Sequence, residues 1–139
     1  MSVLTTASGK SLWFGYEYYL EKRVKGIEQI GKDEYIGKVC GSENNVYDVK
    51  INVERLRKSS CNCPHANGRR VVCKHIVALY FALFPNEAKE YIKLVEENER
   101  KLEEREERRY QDIVKYVKSL SKIELQEKLI DYIVNDEKW

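Results

Sequence analysis

Residues 61–75 read CNCPHANGRRVVCKH, and the spacing of sulfur and imidazole in this stretch decides what the chain around it can be. Residues two apart in extended backbone point to the same side, so Cys61 and Cys63 can present both sulfurs to one ion. Cys73 and His75 repeat that spacing. Between the pairs, Asn67-Gly68 supplies a turn that folds one pair back on the other. Three thiolates and one imidazole make a tetrahedral set that zinc takes in a closed structural site. The expected cofactor is therefore one structural Zn2+ held by Cys61, Cys63, Cys73 and His75.

Rival readings of the same residues are weaker. A bridge between Cys61 and Cys63 would close a strained small ring, and no C-x-x-C redox motif is present. His65 follows Pro64 on the way out of the first pair and is read as a neighbour of the site rather than a ligand. Thiolates committed to zinc are not free nucleophiles, and no Asp or Asn is placed to orient either histidine. Cys40, the remaining cysteine, lies in a strand-like segment and reads as a small buried hydrophobe.

Working outward, the segment before the cysteines has strand character. Tyr47, Val49, Ile51 and Val53 alternate with Asp48, Lys50, Asn52 and Glu54, the period-two pattern of a half-buried strand. Upstream, Val24 to Ile30 and Glu34 to Cys40 form two further strands, separated by turns at Gly31-Lys32-Asp33 and Gly41 to Asn45, and an antiparallel meander is the economical topology. Leu12, Tyr16, Tyr19 and Leu20 share a helical face, which predicts a short N-terminal helix capped by Ser11 and running to about Arg23.

Downstream, Ile76 to Phe84 reads as a mostly buried helix stopped by Pro85. Asn86 is expected to cap a helix from Glu87 to about Tyr110. Its stretch EENERKLEEREERR is polar all round and requires exposure, with pairs such as Glu97/Lys101 and Glu104/Arg108 in support. From Gln111 to Val134 amphipathicity returns, and Ser121 with Glu124 three residues later spells a capping box. The predicted class is α+β: a short N-terminal helix, a small antiparallel β-meander, a zinc unit and C-terminal helices. The predicted division is 1–85 for the α/β lead-in with the zinc unit, and 86–139 for the helical extension.

Charge is nearly balanced at +2 but unevenly spread. Thirteen basic residues face eight acidic ones up to Pro85, against twelve and fifteen from Asn86 onward. Such asymmetry suits an anionic partner for the first part. The longest apolar run, IVALYFALF, is far short of the roughly 20 residues of a membrane span, and MSVLTTASGK lacks the pattern of a secretory signal. The expected setting is cytoplasmic and reducing, where clustered cysteines hold metal more often than disulfides.

The segment CNCPHANGRRVVCKHIVALYFALF resembles the SWIM zinc finger, whose pattern is C-x-C, a variable spacer, then C-x-H at the start of a helix; Ala78 matches the small residue of C-x-H-x-x-A versions. GYEYYLEKRVKGIEQIGKDEYIGKVCGSENNVYDVKI and SLSKIELQEKLIDYIVND are similar to the lead-in and closing helix of small prokaryotic SWIM proteins. The resemblance implies a ββα SWIM-type finger with its core at 47–84, Cys61 and Cys63 on a hairpin, and Cys73 and His75 at the base of the following helix. It also implies DNA or protein binding, and no enzyme. Phosphates would be met by Arg55, Arg57 and Lys58 before the knuckle and by Arg69, Arg70 and Lys74 within it. Expected partners are nucleic acid, DNA favoured over RNA, or a protein reached through the finger and C-terminal helices; no membrane and no small-molecule substrate is expected.

Overall fold

A computed structural model describes residues 2–136 of the 139-residue chain, so the last three residues of the expected extension, like Met1, lie outside the described ones. The chain opens with a single turn, α1 (Val3–Thr6), that the sequence pattern does not announce. Helix α2 (Gly9–Leu20) follows, and its N-cap is Ser8 rather than Ser11. Ser8 sits in extended backbone, and its hydroxyl oxygen accepts the Ser11 N–H at 3.2 Å, which places Ser11 inside the first turn. Leu20 is exposed, so the helix buries Leu12 and Gly15 and half-buries Tyr16 and Tyr19.

Strands β1 (Val24–Gln29), β2 (Glu34–Cys40), β3 (Val46–Asn52) and β4 (Ser60–Cys61) form one antiparallel sheet in chain order. This is the expected meander with a fourth, two-residue strand added. Alternation in β3 is as the sequence dictates, Val49 and Ile51 facing the core while Asp48 and Lys50 face solvent. The strand ends at Asn52 because that side chain accepts the backbone N–H groups of Glu54 and Arg55, at 3.1 and 2.8 Å, and turns the chain.

Helix α3 (Lys74–Leu83) is the centre of the core, buried at every position from His75 to Phe81. It can be apolar all round because the sheet covers one side and α2 the other. Phe81 packs edge-on against Tyr16 and Tyr19, with centroids 6.1 and 6.2 Å away, and against Tyr91 at 5.6 Å. Gly15 sets how closely α2 approaches: a Cβ there would overlap Val77 and lie 2.9 Å from the Lys74 carbonyl oxygen.

Helix α4 (Pro85–Ser119) begins with Pro85 at its first position instead of an Asn86 cap, a place where the missing N–H is no loss. It continues through Tyr110 without a break. Residues 96–112 hold no Gly or Pro, and Glu, Arg and Lys are strong helix formers. Helix α5 (Lys122–Asn135) starts with the predicted capping box, Ser121 accepting from the Glu124 N–H and Glu124 accepting from the Ser121 N–H. The chain divides into two compact units between Lys93 and Leu94, and Ala88 and Tyr91 of α4 are buried in the first. In the second unit the expected Glu97–Lys101 pair forms at 3.2 Å. No helix among the described residues is long and apolar enough to cross a membrane.

Replacing Gly15 with Ala should lower the midpoint of denaturant unfolding. Ala gains helix propensity of about 1 kcal/mol, but overpacking against buried Val77 and fixed backbone costs roughly 1–3 kcal/mol. A variant as stable as the wild type would show that α2 can slide away. A pH effect is also expected from Tyr80, whose hydroxyl donates to the Glu87 carboxylate. Burial first, then that hydrogen bond, pushes the phenol up to about 12 from 10.0. A raised phenol pKa holds the proton in the folded chain, so its contribution is complete below about pH 10 and is lost as pH rises toward 12. Unfolding followed across that window should therefore depend on pH more steeply in the wild type than in Tyr80→Phe.

Candidate metal centre and finger loop

The hairpin of β3 and β4 places the first ligand pair. Val49 pairs with Cys61 and Lys50 with Ser60, and the pairing is extended by Asn62, whose side-chain oxygen accepts the Asp48 N–H at 2.9 Å. Cys63 then opens a tight turn, its carbonyl accepting from the N–H groups of Ala66 and Asn67 at 3.2 and 2.9 Å. Gly68 reverses the loop at φ +72°, a left-handed conformation that glycine adopts without a side-chain penalty. Cys73 is the N-cap of α3, and its carbonyl takes the Val77 N–H at 3.1 Å. His75 falls in the first turn of the helix.

These elements bring the Cys61, Cys63 and Cys73 sulfurs and a His75 ring nitrogen within 4.8 Å of one another, all four residues being buried. His75 Nδ1 lies 3.7 Å from the sulfurs of both Cys61 and Cys73. Metal–sulfur and metal–nitrogen bonds of about 2.3 and 2.0 Å at a tetrahedral angle put sulfur and nitrogen about 3.5 Å apart, so the protein already holds two edges of a zinc tetrahedron near their bonded length. The donor set is complete with four protein groups, which is the closed, structural arrangement.

Electrostatics among the protein groups favours one thiolate in particular. The Cys73 sulfur is held well below the usual thiol range by the hydrogen bond from Cys61 first, with His75 and the Ile76 N–H adding to it against burial. Cys61, the donor in that bond, is pushed up for the same reason and by burial. A zinc ion held by these residues would take the place of the shared proton, with both sulfurs as thiolates. The imidazole is oriented by aromatic faces: Tyr47 lies 4.5 Å and Tyr18 5.6 Å from its centroid. Its buried Nε2 has no hydrogen-bond partner among the described residues, so packing takes the orienting role that an acceptor on this nitrogen commonly fills.

The other singled-out residues divide into two groups. His65 is exposed on the loop beside the site, and Cys40 is a half-buried free thiol at the end of β2, apart from the cluster. Arg57, Lys58, Arg69 and Arg70 line one groove of about 600 Å³ that runs along β4 and the finger loop, with Asp48 as its single carboxylate. Asp48 is engaged by Lys38 at 3.0 Å. Arg55 is exposed but not in that groove, and Lys74 lines a second cavity with Phe14, Lys10 and His65. Among the described residues, none of the six cations is in an ion pair. Sequence reasoning missed Lys10, Phe14, Tyr18 and Tyr47 as neighbours of the site. The spacing of Lys10, Phe14 and Tyr18 at i, i+4 and i+8 was the available signal, a second stripe beside the one that reaches Phe81.

A β-hairpin and helix clasping a closed Cys3His set define this part of the chain as a structural zinc-binding module. Residues 47–84 match the SWIM zinc finger, so the chain carries a SWIM zinc-finger domain running from β3 to the end of α3. No curated protein and no solved structure matches the chain.

One zinc ion per chain is expected from metal analysis of the purified protein. Cys73→Ser should lose it and, with it, the order of the finger loop read by proteolysis, because binding energy at such a site is folding energy. His65→Ala should keep full zinc content; a loss there would move His65 into the ligand set.

Proposed function

We propose that the finger unit is a nucleic-acid-binding module whose groove engages phosphates through Arg57, Lys58, Arg69 and Arg70, with DNA favoured over RNA. The observation that carries this is the convergence of cations from two separate stretches on one groove without carboxylate partners. An ordinary solvated surface tends to intersperse its charges and pair some of them, as β2 and β3 do with Lys38–Asp48 and Lys50–Glu34. Zinc with three thiolates carries a formal charge of −1, so one nearby cation is enough to balance it and the remainder is surplus. The reading assigns the chain a binding role without catalysis. A cytoplasmic, reducing setting goes with it, supported by the gathering of three of the four cysteines on one metal site.

Binding through four phosphates predicts a slope of log K against log salt of about −3.6 on duplex DNA. Arg69→Ala with Arg70→Ala should flatten it by about 1.8 and weaken duplex and single strand alike. An unchanged slope would remove the groove from the account. Zinc content serves as the control for folding.

A second reading, association with a protein, is supported by the C-terminal unit. Helix α5 has no buried residue although Leu125, Leu129 and Ile130 give it an apolar side, and Ile113 and Val117 of α4 are exposed too. Light scattering over a concentration series should then show assembly that is lost on Leu129→Glu; a monomer at every concentration with no captured protein would exclude it.

A further inference from the structure

We infer that the cavity between the starts of α2 and α3 takes an unpaired nucleobase, so that the finger unit prefers a single strand to a duplex; the inference rests on the nucleic-acid reading above and names the form of that partner. The cavity encloses about 270 Å³ and is lined by Ser8, Lys10, Ser11, Phe14, His65 and Lys74 together with three of the metal ligands. No carboxylate lines it. Phe14 is 37% exposed, and two lysines converge on its ring: Lys74 Nζ stands 5.7 Å from the centroid and Lys10 Nζ 6.0 Å. Lys74 also stands 5.1 Å from the centroid of Tyr18. Neither lysine has an ion-pair partner among the described residues.

An exposed ring flanked by unpaired cations in a concave, carboxylate-free site suits a stacked base with phosphates on either side of it. Duplex DNA keeps its base faces covered by neighbouring bases, so only a single strand can offer one to Phe14 without paying for unstacking. The two cavities border the same finger loop, His65 lining this one and Ala66 to Arg70 the arginine groove. A strand crossing the loop therefore meets arginines on one side and the aromatic site on the other. Rigid placement comes from the metal, since Cys73 and His75 flank Lys74 and hold it at the start of α3.

The test is fluorescence anisotropy on the full chain loaded with zinc, using labelled oligo-dT, oligo-rU and a DNA duplex of equal length. The wild type should bind a single strand more tightly than the duplex. Phe14→Ala should weaken single-strand binding by roughly 5- to 100-fold while duplex affinity, salt slope and zinc content stay put. Phe14→Tyr, which keeps the ring, should bind as the wild type does. A loss on the deoxy strand, the ribo strand or both carries the inference. Wild-type affinity in Phe14→Ala, or a preference for duplex, overturns it. The groove reading is distinguished by the Arg69 and Arg70 variant: if that variant weakens every nucleic acid and Phe14→Ala weakens none, the aromatic site falls and the groove stands. If the wild type binds none of the three, both fall.

Discussion

Four donor atoms from a hairpin and a helix start have to meet around one cation, and the arrangement of the first unit follows from that meeting. Apolar burial alone is a thin basis for the connecting loop, where Ala66 and Val72 are the buried residues between Pro64 and Val72. Metal coordination in small zinc domains contributes about 10–16 kcal/mol, as large as the whole folding stability of a typical domain. Such an energy can hold β4, only two residues long, against α3. Once held, α3 presents Ile76, Val77, Leu79 and Phe81 to partners on opposite sides, and the sheet and α2 close over it.

The same closure determines the charge pattern. Coordination pins both ends of the loop that carries Arg69 and Arg70, and the β3–β4 turn carries Arg57 and Lys58 to the other wall of the groove. Side chains that would otherwise spread into solvent are concentrated along one line. Exposed ion pairs elsewhere on the sheet, such as Lys50–Glu34, contribute little to stability, and their value here is as contrast: the one carboxylate of the groove, Asp48, is taken by Lys38 from outside it. Lys74 is separated from the arginines by the loop itself and turns to the aromatic residues of α2.

The second unit follows another logic. Its first part, Glu96 to Arg109, is held helical by propensity and by charge pairs at four-residue spacing, of which Glu97–Lys101 is formed. Beyond it, Ile113, Val117, Leu129 and Ile130 are apolar without being buried. The two units thus carry different surfaces, cationic and concave in one, apolar and helical in the other.

Much of this was legible in the residues. The C-x-C and C-x-H spacing determined the zinc ligands, alternation in Tyr47 to Ile51 determined which face of β3 is buried, and Ser121 with Glu124 determined the start of α5, because each is a local rule acting over a few residues. Boundaries set by competition were less legible: Ser8 displaced Ser11 as a cap because backbone conformation decides which hydroxyl is free to accept, and α4 ran past Tyr110 because nothing in it breaks a helix. Only the tertiary structure decided which basic residues share a groove, placing Arg57 with Arg70 and Lys74 with Phe14. It also set Tyr18 and Tyr47 against the zinc-ligating histidine. Those neighbours come from α2, β3 and α3, and no local spacing encodes which elements the packing around one cation will bring together.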